Sequence, residues 1–287
     1  MMPGILSHGS QDFPLVRRFE IKRASDGLLT RVVDTVATEE PLALRLKYWF
    51  KEAQTTITLA LTMRTPGNDL EFAAGYLLTE GVLQNREQLV ELYSIGAQPA
   101  NEIVAELSRD VDVDAWRLAR SSFVGASCGL CGKRSLDALM THFPAAVEST
   151  LTVAPQLIEA LPELLFRGQE GFAQTGGLHA AALISADGRL KSVFEDIGRH
   201  NALDKLIGNE FLAGNTPLRE HILFLSSRSS FELIQKAAMA GAPVLATVGG
   251  PSSLAIDAAR ALGLTLIGFV RQGRFNVYSG DWRINSK

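Results

Sequence analysis

The second half of the chain predicts an α/β fold, because short apolar runs alternate there with helix-like runs. Strand patterns at 221–227, 244–248 and 264–270 are separated by helical patterns at 230–240 and 252–262. This order is typical of parallel strands joined by crossover helices. The 287 residues are 46% hydrophobic and 21% charged, which is enough for one large core or two smaller ones.

Two domains and a short arm are expected. Residues 1–20 carry little periodicity and predict a flexible N-terminal arm. An N-terminal α/β domain is expected over 21–150 and a C-terminal domain over 151–287, with a linker region near 144–162. The weakly patterned stretch at 84–120 leaves room for further strand. Further strands are predicted at 31–37, 55–63, 179–185 and 190–194. A turn with a helix cap is predicted at 65–69, and the helix that follows it ends near 78. Two more helices are predicted, one that starts at 135 and one that spans 197–211.

The charge balance argues against whole classes of partner. With 28 Lys and Arg against 31 Asp and Glu, the formal net charge is -3, so no global positive field favours nucleic acid or an anionic membrane. Any bound anion must therefore be held by a local basic cluster. Residues 1–8 lack the pattern of a secretory signal, and apolar runs are interrupted before they reach membrane-spanning length. We expect a cytoplasmic protein.

Two cysteines, Cys128 and Cys131, form the sharpest chemical feature. They are too few for a disulfide framework, and in a reducing compartment a close pair favours reactivity or metal binding. Neighbouring glycines indicate an exposed loop. Lys133, Arg134 and the N-terminus of a helix starting near Ser135 favour the thiolate, so they lower a cysteine pKa from its usual value of about 8.5.

The cysteine spacing suits a shared metal, a disulfide or a relay of one group between sulfurs. A zinc site would need further ligands, for which His142, His179 and His200 are the candidates. Zinc deaminase chemistry does not fit, because no histidine is followed by glutamate two residues later and Ser127 stands where that chemistry has proline. A dithiol oxidoreductase stays open, although 84–127 show no clear strand leading to the pair.

A serine-rich segment follows one predicted strand, Ser226-Ser227-Arg228-Ser229-Ser230-Phe231-Glu232. Ser229 and Glu232 fit a capping box at the start of the next helix. The remaining hydroxyls and Arg228 suit a phosphate at the carboxyl edge of the sheet, where open α/β sheets bind ligands. Capping and ligand binding are compatible here.

A basic segment ends the last predicted strand, Phe269-Val270-Arg271-Gln272-Gly273-Arg274. A guanidinium group can hold phosphate through two hydrogen bonds, and Phe269 can lie against a flat ring. Together with the serine-rich segment, it predicts an anionic, nucleotide-like ligand.

A third polar segment, from Glu195 to Lys205, allows two interpretations. It can be a polar ligand site at a strand-to-helix junction. Alternatively, Asp196 caps the helix, and Arg199, Asp204 and Lys205 are solvated or paired on its surface. The residues alone do not decide between them.

The chain resembles the FdhD family of sulfur carriers over almost its whole length from about Val32. The motifs that carry the resemblance are Thr65-Pro66-Gly67-Asn68, Gly75-Tyr76-Leu77-Leu78-Thr79-Glu80-Gly81, Cys128-Gly129-Leu130-Cys131-Gly132, Thr175-Gly176-Gly177-Leu178-His179-Ala180-Ala181, Glu195-Asp196-Ile197-Gly198-Arg199-His200-Asn201, Ser226-Ser227-Arg228-Ser229 and the Phe269 to Arg274 segment. Their number and order make a chance resemblance improbable.

This resemblance implies a cytidine-deaminase-like, three-layer C-terminal domain without deaminase zinc chemistry, a smaller α/β N-terminal domain and a homodimer. It implies a carrier-type sulfurtransferase required for formate dehydrogenase activity. An IscS-like cysteine desulfurase would load Cys128 as a persulfide, and the sulfur would pass to molybdenum in bis(molybdopterin guanine dinucleotide). By motif position, Phe269, Val270, Arg271, Gln272, Gly273 and Arg274 would contact this substrate, which guanosine diphosphate (GDP) can mimic.

The position of Cys131 suggests that it assists Cys128. Placed three residues later, its thiol can attack the Cys128 persulfide and release sulfide or close a disulfide, by ordinary thiol exchange. Molybdenum and formate dehydrogenase come from the family resemblance alone, whereas the reactive thiol and the phosphate ligand come from the residues.

Overall fold

The computed structural model describes residues 15–96, 100–113 and 146–285. The loop of Cys128 and Cys131 and the helix predicted from Ser135 lie outside these residues. The strands are β1 (Val16–Ser25), β2 (Leu28–Ala37), β3 (Glu40–Phe50), β4 (Ala53–Arg64), β5 (Leu89–Ile95), β6 (Glu102–Leu107), β7 (His179–Ser185), β8 (Leu190–Asp196), β9 (His221–Leu225), β10 (Val244–Thr247), β11 (Thr265–Arg271) and β12 (Arg274–Ser279). The helices are α1 (Asp69–Thr79), α2 (Pro155–Arg167), α3 (Glu170–Thr175), α4 (Arg199–Leu212), α5 (Phe231–Met239) and α6 (Ser253–Ala261), with 3-10 turns at Arg86–Gln88 and Asp281–Arg283.

The N-terminal part contains a hairpin and a four-stranded sheet. β1 and β2 pair only with each other, whereas the sheet has the order β4-β3-β6-β5. Every second residue of β3 is buried, namely Leu42, Leu44, Leu46 and Tyr48, as expected for a sheet with one face on the core. Helix α1 contributes Phe72 to the same core.

The C-terminal part is a six-stranded sheet between two layers of helices. Its order is β12-β11-β10-β9-β7-β8, in which β9, β10 and β11 are parallel and the other pairings are antiparallel. Helix α2 packs on one face against β7, β8, β11 and β12. Helices α4, α5 and α6 pack together with the other face. The α/β class and the three-layer C-terminal arrangement are confirmed.

The two parts meet where helices α1 and α4 cross, and two glycines allow this crossing. A Cβ added to Gly75 would lie 1.9 Å from the backbone oxygen of Asp204, and one added to Gly208 would lie 1.8 Å from that of Glu71. One hydrophobic cluster runs across the contact, from Leu42 to Leu266. The predicted boundary between 150 and 151 remains a prediction.

Two sequence expectations for the N-terminal part need correction. β1 already begins at Val16, so 16–20 do not belong to a flexible arm. Its side chains are mostly exposed on both faces, and such a strand shows no alternation of apolar residues. Strand β3, which was not predicted, precedes β4. The 84–120 stretch, where further strand was expected to be possible, does contain β5 and β6.

The linker expected near 144–162 also contains the start of helix α2. Pro155 stands at its first turn, and Pro162 lies inside it, which gives the segment the composition of a linker. Ile158, Leu161 and Leu165 nevertheless form a buried stripe at helical spacing. No helix within the described ranges is long and apolar enough to cross a membrane.

Candidate anion-binding site at the carboxyl edge of the six-stranded sheet

The carboxyl ends of β9, β10 and β11 meet at one edge, since these strands are parallel neighbours. The serine-rich segment follows β9 and the basic segment ends β11, so both predicted ligand segments lie on this edge. Between them lies the loop after β10, which includes Gly249 and Gly250. Sequence reasoning missed this loop. The available signal was a Gly-Gly-Pro sequence directly after a buried strand.

Phe269 turns out of β11 at a bulge. The register of β11 with β12 shifts between Gly268 and Arg271, and Phe269 has φ 54°, in the left-handed region that is costly for an aromatic residue. Its backbone N–H donates to the oxygen of Gly249 at 3.0 Å. A Cβ added to Gly250 would lie 2.5 Å from Phe269 Cζ, so the ring rests on the glycine. The bulge thus presents an aromatic ring that is 46% exposed at the sheet edge.

Arg271 bends back over the end of β10. Its Nη1 donates to the backbone oxygens of Val248 at 2.7 Å and Val270 at 2.8 Å. Arg274 is its register partner across a turn in which Gly273 has φ 76°. The turn exposes Gln272, Gly273 and Arg274. The Val270 side chain is fully buried in the core, so it cannot itself contact a ligand at the surface.

Arg228 reaches the same loop from β9. It is exposed, and a Cβ on Gly249 would lie 2.7 Å from its Cγ. Among the described residues, none of the guanidinium groups of Arg228, Arg271 and Arg274 makes a salt bridge with a carboxylate. This part of the edge therefore carries cationic charge with no carboxylate to balance it, as an anion-binding site requires.

The serines have structural partners that the sequence did not reveal. Helix α5 has Ser230 as its N-cap, and Ser230 Oγ donates to Glu232 at 2.8 Å. The buried Ser229 hydroxyl instead contacts Thr247 Oγ1 at 3.0 Å, so the predicted capping box of Ser229 and Glu232 is wrong. The hydroxyl of Ser227 donates to the Arg228 oxygen at 3.0 Å. The serines thus stabilise the loop that carries Arg228.

The segment from Glu195 to Lys205 chiefly joins the two parts of the molecule. Asp196 is fully buried, accepts from the Thr65 backbone at 3.1 Å and lies 2.7 Å from Lys205 Nζ. Lys205 also donates to the Thr65 oxygen at 2.8 Å, and Asn201 donates to the Met63 oxygen at 2.9 Å. The interpretation in which Asp204 and Lys205 are surface groups is therefore wrong.

Asp204 belongs to a second buried cluster. Its Oδ1 accepts from Thr79 at 2.8 Å and from Lys236 at 2.9 Å, and Lys236 also lies 3.5 Å from Glu80. Burial outweighs these contacts and raises the pKa of Asp204 to about 6. These charged groups hold α1, α4 and α5 together.

Two of the three histidines considered as zinc ligands are in the described part of the chain. His179 Nδ1 lies 3.5 Å from Ser226 Oγ, and His200 Nε2 lies 3.4 Å from Ser230 Oγ. Burial, followed by the charge of Arg199, lowers the pKa of both imidazoles. No three His, Cys, Asp or Glu side chains in the described ranges converge to hold a metal ion. His142, Cys128 and Cys131 lie outside those ranges.

The fold defines an α/β protein whose six-stranded sheet carries exposed arginines and an exposed aromatic ring at its carboxyl edge. A model of the FdhD/NarQ family matches residues 37–285. The chain belongs to the FdhD/NarQ family.

Relatives with curated names resemble the chain over nearly its full length. "Sulfur carrier protein FdhD" from Streptomyces avermitilis is 43% identical over 278 residues, covering 94% of this chain and 96% of the relative. The protein of the same name from Mycobacterium tuberculosis is 43% identical over 272 residues, covering 91% and 95%. A crystal structure from Desulfotalea psychrophila, described as that of a candidate formate dehydrogenase accessory protein, superposes with a TM-score of 0.72 at 23% identity, covering 95% of this chain and 100% of that one. At that identity it supports the fold alone.

Proposed function

We propose that this protein is a sulfur carrier of the carrier-type sulfurtransferase class that serves formate dehydrogenase. It accepts sulfur from an IscS-like cysteine desulfurase as a persulfide on Cys128. It then transfers the sulfur to molybdenum in bis(molybdopterin guanine dinucleotide), its bound substrate, before that group is inserted into formate dehydrogenase. Family membership and the curated relatives named as sulfur carriers support this proposal. We also propose a cytoplasmic homodimer.

The loading step needs only a thiolate on this chain. The Cys128 thiolate attacks the terminal sulfur of the desulfurase persulfide, the sulfur–sulfur bond breaks, and the desulfurase thiolate leaves. No oxidant or reductant is consumed. Lys133 and Arg134 favour the thiolate form by their charge. In the transfer step the Cys131 thiolate, three residues later in the sequence, attacks the inner sulfur of the Cys128 persulfide, so that sulfide leaves and a Cys128–Cys131 disulfide closes and supplies the two electrons.

The observation that carries the ligand assignment is the set of three arginines without a carboxylate partner in the described structure, beside a bulged aromatic ring. Arg271 and Arg274 are register partners across the β11–β12 turn. Arg228 approaches Gly249 in the loop after β10, and Arg271 donates to the Val248 oxygen at the start of that loop. Guanidinium groups bind phosphate through charge-assisted hydrogen bonds. The exposed ring of Phe269 offers a surface for a planar base. A guanine nucleotide has both parts in one molecule.

Calorimetric titration with GDP tests this assignment. Arg271→Ala and Arg274→Ala should each weaken binding by roughly 1.5–3 kcal/mol, the cost of a lost charge-assisted contact. Arg189→Ala is the matched control, since Arg189 is exposed on the β7–β8 turn at the opposite edge and pairs with Asp187. Wild-type protein that binds no guanine nucleotide but reduces disulfides efficiently would favour the dithiol oxidoreductase instead.

The zinc alternative predicts a different result. A carrier should contain substoichiometric zinc after purification, whereas a metal site formed by Cys128 and Cys131 should retain one tightly bound ion per chain. Elemental analysis of the wild-type protein and of Cys128→Ala and Cys131→Ala distinguishes the two. One zinc per chain that is lost in either variant would contradict the carrier proposal.

A further inference from the structure

A second cluster of ionisable groups lies on the carboxyl edge. It is on the side of β9 that faces away from β11, where β7 and β8 lie. His179 begins β7, which pairs with β9, and Arg199 begins helix α4 just after β8. His200 follows Arg199 and faces Ser230 at the start of α5. We call these three residues the histidine patch. Neither the GDP assignment nor the thiol chemistry uses them.

We propose that the histidine patch, His179, Arg199 and His200, is a second anion-binding site on this edge and takes a phosphate group. The ligand of the histidine patch is a phosphate or diphosphate group, either as an inorganic anion or as part of a nucleotide. The part concerning nucleotides rests on the proposed function. The part concerning the anion rests on the patch alone.

The hydrogen bonds around His179 leave one ring N–H for a ligand. The hydroxyl of Ser226 accepts the Ala180 N–H at 2.9 Å, so its own proton is available for His179 Nδ1 at 3.5 Å. When Nδ1 accepts, the neutral ring carries its proton on Nε2. Nε2 has no partner in the described part of the structure, so this N–H can donate to a ligand.

Arg199 supplies the positive charge of the histidine patch. Its guanidinium makes no salt bridge or side-chain hydrogen bond within the described residues, although it is only partly exposed. It is close enough to both imidazoles to lower their pKa values. A cation that makes no salt bridge in the described structure and lies near two imidazoles, in a setting that partly excludes water, is suited to attract an anion.

The charged groups around the two rings define a pH dependence. Arg199 opposes protonation of His179, whereas Asp196 favours it. For His200, Arg199 and Lys236 oppose protonation, whereas Glu232, 3.5 Å from Nε2, favours it. A bound phosphate adds negative charge beside both rings and raises their pKa values. Binding should therefore take up protons and become tighter as the pH falls from 8 to 6.

The position of the patch suits a long ligand. In the sheet order, β7 is three strands from β11, which corresponds to about 14 Å at the usual spacing between strands. Phe269 and Arg271 thus lie at one end of the edge and the histidine patch at the other. A ligand with two phosphorylated ends can contact both, whereas a small anion can occupy either end alone.

NMR of the imidazole groups tests the proposal on the full-length protein, with inorganic pyrophosphate as probe. Pyrophosphate should shift the His179 and His200 signals and raise both pKa values. His221 is an internal control, because it begins β9 at the opposite edge of the sheet. Arg199→Gln should reduce pyrophosphate affinity about tenfold or more, and Arg199→Lys should restore part of it. Signals of His179→Gln and His200→Gln proteins provide the assignments.

Three outcomes distinguish the patch from the proposed function. If pyrophosphate shifts the His179 and His200 signals, but the protein binds no GDP or binds it equally well in Arg271→Ala, the inference about the patch is supported and the proposed function fails. If GDP shifts them as well, and the Arg199→Gln and Arg271→Ala losses are both seen, one ligand spans the edge. If the two signals ignore both probes at pH 6, or move only as His221 does, the inference is overturned.

Discussion

Arg271 and Arg274 are register partners across the β11–β12 turn, so two positively charged residues stand opposite each other on neighbouring strands. Like charges in this position are destabilising. Arg271 partly relieves the repulsion by donating to the backbone oxygens of Val248 and Val270. An anion bound between Arg271 and Arg274 would explain why two arginines occupy a position in which they destabilise the β11–β12 turn.

Arg274→Gln should therefore change stability and binding in opposite directions. Without ligand, the free energy of unfolding should stay the same or rise by about 0.2–1 kcal/mol, because a like-charge pair is removed. The affinity for GDP should fall. Urea unfolding with and without GDP measures both quantities, with Arg189→Gln as control. A variant that loses stability without ligand and keeps wild-type affinity contradicts the role given to this pair.

Gly250→Ala should displace the Phe269 ring. The added Cβ would lie 2.5 Å from Phe269 Cζ, so the ring must move away from the loop after β10. We expect weaker GDP binding with little change in the unfolding midpoint, because the ring is exposed. Gly177→Ala is the matched control, since its Cβ would meet nothing closer than 3.8 Å. Unchanged GDP affinity in Gly250→Ala would show that the ring does not contact the base.

Gly75→Ala should destabilise the contact between the two parts of the molecule. The new Cβ would lie 1.9 Å from the Asp204 backbone oxygen, and two packed helices would have to separate. The expected loss in unfolding free energy is about 3 kcal/mol or more, at the upper end for overpacking. Chemical denaturation of this variant and of Gly177→Ala gives the comparison. A loss no larger than that of the control would mean that α1 and α4 adjust easily.

The buried Asp204 predicts a pH dependence of stability. Its pKa rises from the ordinary 3.8 to about 6 in the folded protein, chiefly through burial. Between about pH 4 and 6 the folded state therefore binds more protons than the unfolded state, and Asp204's contribution to stability is lost as the pH rises through this window. Wild-type protein should lose stability relative to Asp204→Asn over this range and show no further relative change from pH 6.5 to 8.

Urea unfolding of both proteins at half-unit pH steps measures the difference. Lys236 faces Asp204 in both proteins, so the comparison isolates the carboxyl group. If the wild-type protein instead gained stability relative to Asp204→Asn as the pH rose, attraction to Lys236 would outweigh burial.

The sequence predicted the C-terminal sheet well because its central strands are buried on both faces. The runs at 179–185, 244–248 and 264–270 match β7, β10 and β11 to within one residue at each end. Strand β1 escaped prediction, and β2 was predicted only from residue 31, because these exposed strands depend on each other and not on an apolar face. Helix α2 was hidden by Pro162, although its buried stripe was present in the sequence.

The candidate site was only partly predictable, because several of its contacts join residues that are distant in the sequence. Chemistry-bearing residues such as Arg228 and Arg271 stand out in a sequence. Gly250 matters because a ring from 19 residues further along the chain rests on it, and this contact exists only in the fold. The bond from Thr65 to Asp196 joins residues 131 positions apart and shows no local signal. The burial of Val270 likewise depends on which face of β11 meets α2.

The central claim is that Cys128 carries a transferable sulfur, and mass spectrometry tests it most directly. The purified protein is incubated with a cysteine desulfurase and cysteine, alkylated and digested. We expect the peptide containing Cys128 to gain the mass of one sulfur atom in wild-type protein and in Cys131→Ala, and to gain nothing in Cys128→Ala. Formate dehydrogenase maturation should follow the same order, with slower or less controlled sulfur release in Cys131→Ala. A Cys128→Ala protein that accumulates a persulfide on Cys131 and supports near-normal maturation would contradict the account.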